Sequence, residues 1–321
     1  METIKLKGLG IPASRLCMGG CPAGEYGWGD VNRDEVEAAM LHALDMGLTF
    51  FDTADAYGLG RSEETLGRVL RARRGEVLLA TKFGVRVENG KTFFDNSPAY
   101  IQTALAASLK RLRTDYIDLY QVHYLDGVTP VPDMMEALIG CKRKGMIRAI
   151  GLSNIRESDL PAFAPYADEL CSFQNHFSLA HRDDETAMQN IADSLHVSPL
   201  TWGSLGQGVL TGKYGKDVRF DPNDRRSRPV YDNFYGDRLA RNLRIVEAMR
   251  PIAEKYRVPL AGVAVRWILD TLPRGVVITG VKTPRQAQDN ALAFSFRLNA
   301  EELAALDRVS KPGEIEPINE E

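Results

Sequence analysis

Leu48-Thr49-Phe50-Phe51-Asp52-Thr53-Ala54-Asp55 decides how the rest of the chain is read. The run is short, rich in Phe and Thr, and apolar until it ends at Asp52. Before it, Val36, Ala39, Met40, Ala43 and Leu44 recur at i, i+3, i+4, i+7 and i+8, one apolar face of a helix that Gly47 stops. After it a second helix begins near Ser62. Outward from this unit the rhythm repeats. LCMGG precedes it; VLLATKFG, YIDLYQVHY, IRAIGLSN, CSFQNHF, SPLTW and GVVITG follow, with helical stretches after the Ser97-Pro98 start signal, over 134–142, over 185–195 and twice between 238 and 271. The eight strand runs are apolar on both faces, as parallel strands covered by helices are. Eight β-α units predict a (β/α)₈ TIM barrel occupying 1–321 as one domain. An open doubly wound sheet is the competing arrangement, but no strand is followed by G-x-G-x-x-G.

Two interruptions are expected in the rhythm. LKGLGIPASRL, with Gly8 and Gly10 before Pro12, predicts an N-terminal β-hairpin ahead of the barrel. From Trp202, at the end of the seventh strand, to Gly280 is 78 positions, and that stretch holds a long polar loop and an extra helix. Long loops within compact domains commonly act as lids.

Composition narrows the function. The 321 residues are 44% hydrophobic and 26% charged, with a formal net charge of −3. That near-neutral balance argues against nucleic acid as a partner. No apolar run reaches the ~18 residues of a membrane span, and METIKLKGLG lacks the apolar core of a signal peptide, so a cytoplasmic protein is expected. Cys17, Cys21, Cys141 and Cys171 show no metal-ligand spacing and read as reduced thiols. EIEPINEE reads as a frayed tail.

In a barrel, chemistry gathers where strands end at the C-terminal face. Asp52, Lys82, His123, Ser153, Asn154, Gln174 and Trp202 each close an apolar run. Singly, each has a bland reading: a cap, a surface lysine, a satisfied core histidine. Together on one face they make an active site. Tyr57 follows Asp52 by five positions. A free phenol has a pKa of about 10, and a neighbouring Lys82 ammonium is expected to lower it. Asp52 would keep Lys82 charged in a dry cavity, and His123 could orient a carbonyl oxygen. The set is a general acid aimed at a carbonyl, with neither an activated nucleophile nor a metal cage, so a hydride from a cofactor is expected.

Asp52-Thr53-Ala54-Asp55-Ala56-Tyr57-Gly58 with Gly60-Arg61-Ser62-Glu63-Glu64 resembles the first signature of the aldo-keto reductase superfamily. The resemblance runs on through Thr81-Lys82, Gln121-Val122-His123, Gly151-Leu152-Ser153-Asn154, Phe173-Gln174-Asn175, Gly206-Gln207-Gly208-Val209-Leu210-Thr211-Gly212-Lys213 and Thr283-Pro284. It is closest to a bacterial branch similar also to potassium-channel β subunits. It implies Tyr57 as general acid, Asp52 and Lys82 as its tuning pair, and His123 orienting the substrate.

The same resemblance implies cofactor positions. Ser153, Asn154 and Gln174 would hold the nicotinamide carboxamide, and Trp202 would stack on its ring, where Tyr is commoner. Backbone amides of Ser204, Leu205, Gly206, Gln207 and Gly208 would meet the pyrophosphate, with Lys213 closing the site. Gly19 and Gly20 would allow close backbone approach. Gly280, Lys282, Thr283 and Gln286 would surround the 2′-phosphate and Asn290 the adenine. Lys282 and Arg285 favour NADP(H) by charge; Gln286, where Arg is common, leaves NAD(H) as the alternative.

Softer signals stay open at this level. Arg225, Arg226 and Arg228 read as a solvated loop or as a lid touching an anion. Trp28 and Tyr124 read as rim aromatics or as substrate-pocket walls, as does Phe177. His181 and His196 read as ordinary helix or loop histidines. The expected function is NADPH-dependent reduction of an aldehyde or ketone, a sugar or another small polar carbonyl. Oxidation of the corresponding alcohol is the reverse reading, and a catalytically weak regulatory subunit the distant one. A monomer or small homo-oligomer is expected.

Overall fold

A computed structural model describes residues 1–312, and the acidic stretch EIEPINEE lies outside them. Eight parallel strands close into a barrel in chain order: β1 (Leu16–Gly19), β2 (Phe50–Asp52), β3 (Leu78–Phe83), β4 (Ile117–Val122), β5 (Ile147–Ser153), β6 (Leu170–His176), β7 (Ser198–Trp202) and β8 (Val276–Gly280), with β8 pairing back onto β1. All eight strand runs of the sequence take part.

Strand alternation sorts the side chains into two cores. Cys17, Phe50, Leu78, Ala80, Leu119, Ala149, Cys171, Leu200, Val276 and Ile278 fill the barrel interior. Their sequence neighbours, among them Phe51, Leu79 and Leu152, face outward and pack with the helices. Leu6 and Ala13 join the interior cluster from below, because Thr3–Ile4 pairs antiparallel with Ala13–Ser14 and forms the expected hairpin.

The helix Arg33–Asp45 buries Val36, Ala39, Met40, Ala43 and Leu44, the face read from the spacing. Asn32 caps it, its side chain accepting from the amides of Asp34 and Glu35. Ser97 caps Pro98–Leu112 in the same way.

The rhythm departs from even βα units in two places. After β5 the chain makes only short turns over Glu157–Asp159, Leu160–Phe163 and Ala164–Tyr166, where Pro161 and Pro165 interrupt helical hydrogen bonding. After β3, Val85–Glu88 and Lys91–Phe94 form an antiparallel hairpin at the mouth that the spacing did not announce. The long segment after β7 holds short turns and two helices, Gly236–Tyr256 and Leu260–Thr271. No helix among the described residues is long and apolar enough to cross a membrane.

Candidate active site

Period-two alternation carries the inward rows to the C-terminal mouth. Two residues beyond inward Phe50 comes Asp52; beyond Ala80, Lys82; beyond Leu119, Gln121 and then His123; beyond Ala149, Gly151 and then Ser153. Register aligns these rows, since Asp52 pairs with Ala80 and Lys82 with Gln121.

Asp52 and Lys82 are both buried, with Oδ1 of Asp52 2.5 Å from Nζ of Lys82. The ammonium also donates to the Thr53 carbonyl at 3.0 Å and to Tyr57 Oη at 3.3 Å. The second carboxylate oxygen, Oδ2, accepts from Nε2 of Gln121 at 2.9 Å and from Nε2 of Gln174 at 3.0 Å. A buried ion pair is stable only where its remaining lone pairs and protons find partners. Here the two amides and the Thr53 carbonyl supply them. Gln121 was not singled out from the sequence as a site residue, although its place two positions after inward Leu119 was a usable signal.

Tyr57 departs from expectation. The Lys82 ammonium touches its oxygen, yet burial pushes the phenol well above its ordinary range, with the charge of Asp52 adding to the rise. Lys82 is engaged with Asp52, so it does not overcome the desolvation. The phenol therefore stays protonated at neutral pH, the form in which it can donate.

His123 lies edge-on to Tyr57, ring centroids 6.0 Å apart. Burial, and secondarily the Lys82 charge, lower its pKa well below that of a free imidazole. Its Nδ1 meets no partner among the described residues. Tyr124 stacks on His123 at 5.0 Å, and Phe94 of the mouth hairpin stacks on Tyr124 at 5.0 Å. Phe177, by contrast, is wholly buried against Trp267 and belongs to the core.

Beyond the acid set, Ser153 Oγ donates to the Gln174 carbonyl at 2.9 Å. Asn154, at φ 55°, donates to the His123 carbonyl at 3.0 Å and accepts from Trp202 Nε1 at 3.1 Å. The Gln174 side chain turns inward to Asp52 and Gln121. Trp202 stacks on His176 at 4.2 Å, and His176 on His181 at 3.9 Å. His181 is thus part of a three-ring stack rather than an ordinary loop histidine. His196 is exposed at φ 52°, just past the helix Glu185–Ser194.

The positions expected on the phosphate side converge as well. Gly206, Gln207 and Gly208 take φ of 55°, 53° and 104°, three left-handed residues in succession. Ser204 anchors this turn through Oγ to the Ile278 carbonyl at 2.8 Å, and Leu205 packs against the core. Lys282 is pushed down by burial and then by the charges of Arg226 and Lys213. Three cations close enough to repel one another suit an anionic ligand such as a cofactor phosphate. Thr283 caps Pro284–Ala291, Gln286 accepts from the Lys282 amide, and buried Asn290 donates to Thr279 Oγ1. Arg285 stands exposed. Gly280 is exposed against Pro22. The bare faces of Gly19 and Gly20 meet protein: a Cβ on Gly20 would fall 2.7 Å from Ser62 Oγ, and one on Gly19 3.0 Å from Ile278.

Most of the loop after β7 is exposed, Arg228 included, but Arg226 is not solvated and Arg225 only in part. Arg226 is buried, its guanidinium on Asp224 at 2.5 Å, and it also bonds the Tyr214 hydroxyl. Trp28 donates through Nε1 to Cys21 Sγ at 3.1 Å and meets Tyr231 of the same loop edge-on at 6.0 Å. The four cysteines are free.

Comparison with known proteins agrees with this geometry. A profile of the Aldo/keto reductase family matches residues 15–311. Aldo-keto reductase YhdN of Bacillus subtilis is 32% identical over all of this chain and 97% of its own length. Aldo-keto reductase yakc [NADP(+)] of Schizosaccharomyces pombe is 34% identical over 87% of this chain and 84% of its own. The structure of glycerol dehydrogenase AKR11B4 from Gluconobacter oxydans superposes with a TM-score of 0.88 at 32% identity, covering 99% of both chains. The chain belongs to the aldo-keto reductase family. It is an NAD(P)H-dependent oxidoreductase of that family.

Proposed function

We propose that the protein reduces a small polar aldehyde or ketone with NADPH and that Tyr57 protonates the carbonyl oxygen. The observation that carries this reading is the Tyr57 phenol, kept neutral by burial and touching Lys82, which Asp52 in turn holds. The reduced nicotinamide supplies the hydride when bound. Ser153 and Asn154 would orient its carboxamide, the free face of Trp202 would support the ring, and the Lys282, Lys213 and Arg226 cations would take its phosphates. His123, neutral at physiological pH, would donate to the carbonyl oxygen and fix it beside Tyr57 Oη. As the oxygen gains charge, it takes the Tyr57 proton, and Lys82 stabilises the phenolate left behind.

Microscopic reversibility allows the same residues to oxidise an alcohol, and likeness to a glycerol dehydrogenase supports a hydroxylated substrate pair. Tyr57→Phe tests the assignment. Turnover should fall by about 10²- to 10⁴-fold while NADPH binding, followed by fluorescence titration, stays as in the wild type. A variant keeping most of its turnover would show that Tyr57 is not the acid.

A further inference from the structure

Residues 225 and 226 are successive arginines that meet different partners. Arg226 is paired with Asp224, and its charge bears on Lys282 together with that of Lys213. That is the side where the phosphate-binding positions cluster. Arg225 packs instead on Gly27, three residues past Gly24, whose own bare face lies against the Tyr57 backbone, where a Cβ would fall 2.8 Å from the Tyr57 carbonyl carbon.

The Arg225 side chain is held in place by packing. Its backbone amide donates to the Gly27 carbonyl at 2.9 Å. Its stem lies on the bare face of Gly27, where a Cβ would fall 2.4 Å from Arg225 Cγ. The guanidinium sits 4.7 Å from the centre of the Tyr26 ring. The next arginine but one, Arg228, supports that ring by donating to its hydroxyl at 3.2 Å. Yet Arg225 Nε is buried and meets no acceptor among the described residues. Arg226, beside it, has a carboxylate; among the described residues Arg225 pairs with none. Gly27 covers that Nε, so a ligand would meet the terminal amino groups of the guanidinium, which have no carboxylate partner among the described residues. Its planar fork fits a carboxylate or a phosphate oxygen pair.

We propose that Arg225 is an anion subsite for the substrate. The carbonyl compound this enzyme reduces carries a carboxylate or phosphate that Arg225 holds while the carbonyl meets Tyr57 and His123. This inference rests on the reductase reading above and adds the class of substrate. Because Tyr26, Gly27 and the loop already fix the guanidinium, little ordering cost remains at binding.

Four aldehydes test it with NADPH: succinic semialdehyde against butyraldehyde, and glyceraldehyde 3-phosphate against glyceraldehyde. The wild type should favour at least one anionic member over its neutral partner by about 10- to 100-fold in kcat/KM, the worth of a charge-assisted hydrogen bond. Which pair shows the preference tells carboxylate from phosphate. Arg225→Met should abolish that ratio, keep turnover of the neutral aldehyde within about twofold, and leave the NADPH dissociation constant unchanged. Arg225→Lys, a point charge without the fork, should keep part of the ratio.

A ratio unchanged in Arg225→Met overturns the subsite. So does NADPH binding that weakens by the same factor as the anionic substrate, since the arginine would then serve the cofactor. Wild-type reduction of neutral aldehydes without any anion preference removes this inference and leaves the reductase reading standing. Failure of the wild type on all four removes both.

Discussion

Asp52 holds Lys82 at 2.5 Å through one carboxylate oxygen, and binds the Gln121 and Gln174 amides through the other. Four side chains from four strands thereby lock one another inside the barrel. The lysine is left a single free direction, toward Tyr57. The pair is therefore a structural unit and, in the proposed mechanism, the support of Tyr57 as the acid.

Lys82→Met should be costly because it strands a buried carboxylate. We expect about 3–5 kcal/mol lost in urea denaturation, with turnover lost as well. Asp52→Asn combined with Lys82→Met should recover much of that stability and none of the activity. A double variant as unstable as the single one would mean that the pair's charges are not coupled.

The pH profile of reduction should be broad. Burial raises Tyr57 above its ordinary range, so the proton donor persists as pH rises through 10, about where a free phenol ionises. Burial lowers His123, so it remains neutral as pH falls through 6.5, the ordinary histidine value. Between these limits kcat/KM should stay flat; a limb near 6.5 that vanishes in His123→Gln would contradict the neutral imidazole.

Asp55, just upstream of Tyr57, is pushed up to about 8 by burial and by the charge of Glu63. Its Oδ1 has no partner among the described residues. An acid whose folded pKa is raised keeps its proton in the folded state while the unfolded chain has released it. Stability is thus highest below the unfolded value of 3.8 and falls as pH rises toward 8. Asp55→Asn should therefore stabilise the protein at pH 8 by about 2 kcal/mol, allowing for partial exposure, and should change little at pH 4. Equal thermal shifts at both pH values would refute it.

Gly203, at φ 68°, lies against the ring beneath Trp202: a Cβ there would fall 2.4 Å from His176. Gly203→Ala should disturb the Trp202–His176–His181 stack and weaken NADPH binding about tenfold or more. Quenching of tryptophan fluorescence by NADPH would report it, and an unchanged titration would show that His176 does not hold Trp202.

Much of the site was readable before folding because strands alternate. Phe50 inward puts Asp52 inward, and Ala80 inward does the same for Lys82. The mouth hairpin of Val85–Glu88 and Lys91–Phe94 was not read, because it adds two four-residue strands between β3 and the helix Pro98–Leu112 without changing the order of the βα units. Gln121 was passed over beside the more conspicuous His123. The direction of the Tyr57 shift was misread because adjacency to Lys82 could be inferred from the chain, while the depth of burial could not.

The sequence by itself determined the eight strands, the helix faces and the rows of inward side chains. Those follow from periodicities of two and 3.6, which operate over a few residues. Only the tertiary structure decided which polar groups meet. Gln121 and Gln174 reach Asp52 across 69 and 122 positions of chain. Arg225 and Arg226, neighbours in sequence, meet different partners, the Tyr26 ring and the Asp224 carboxylate. Such pairings depend on how the barrel closes and where its loops return, and no local spacing contains that information.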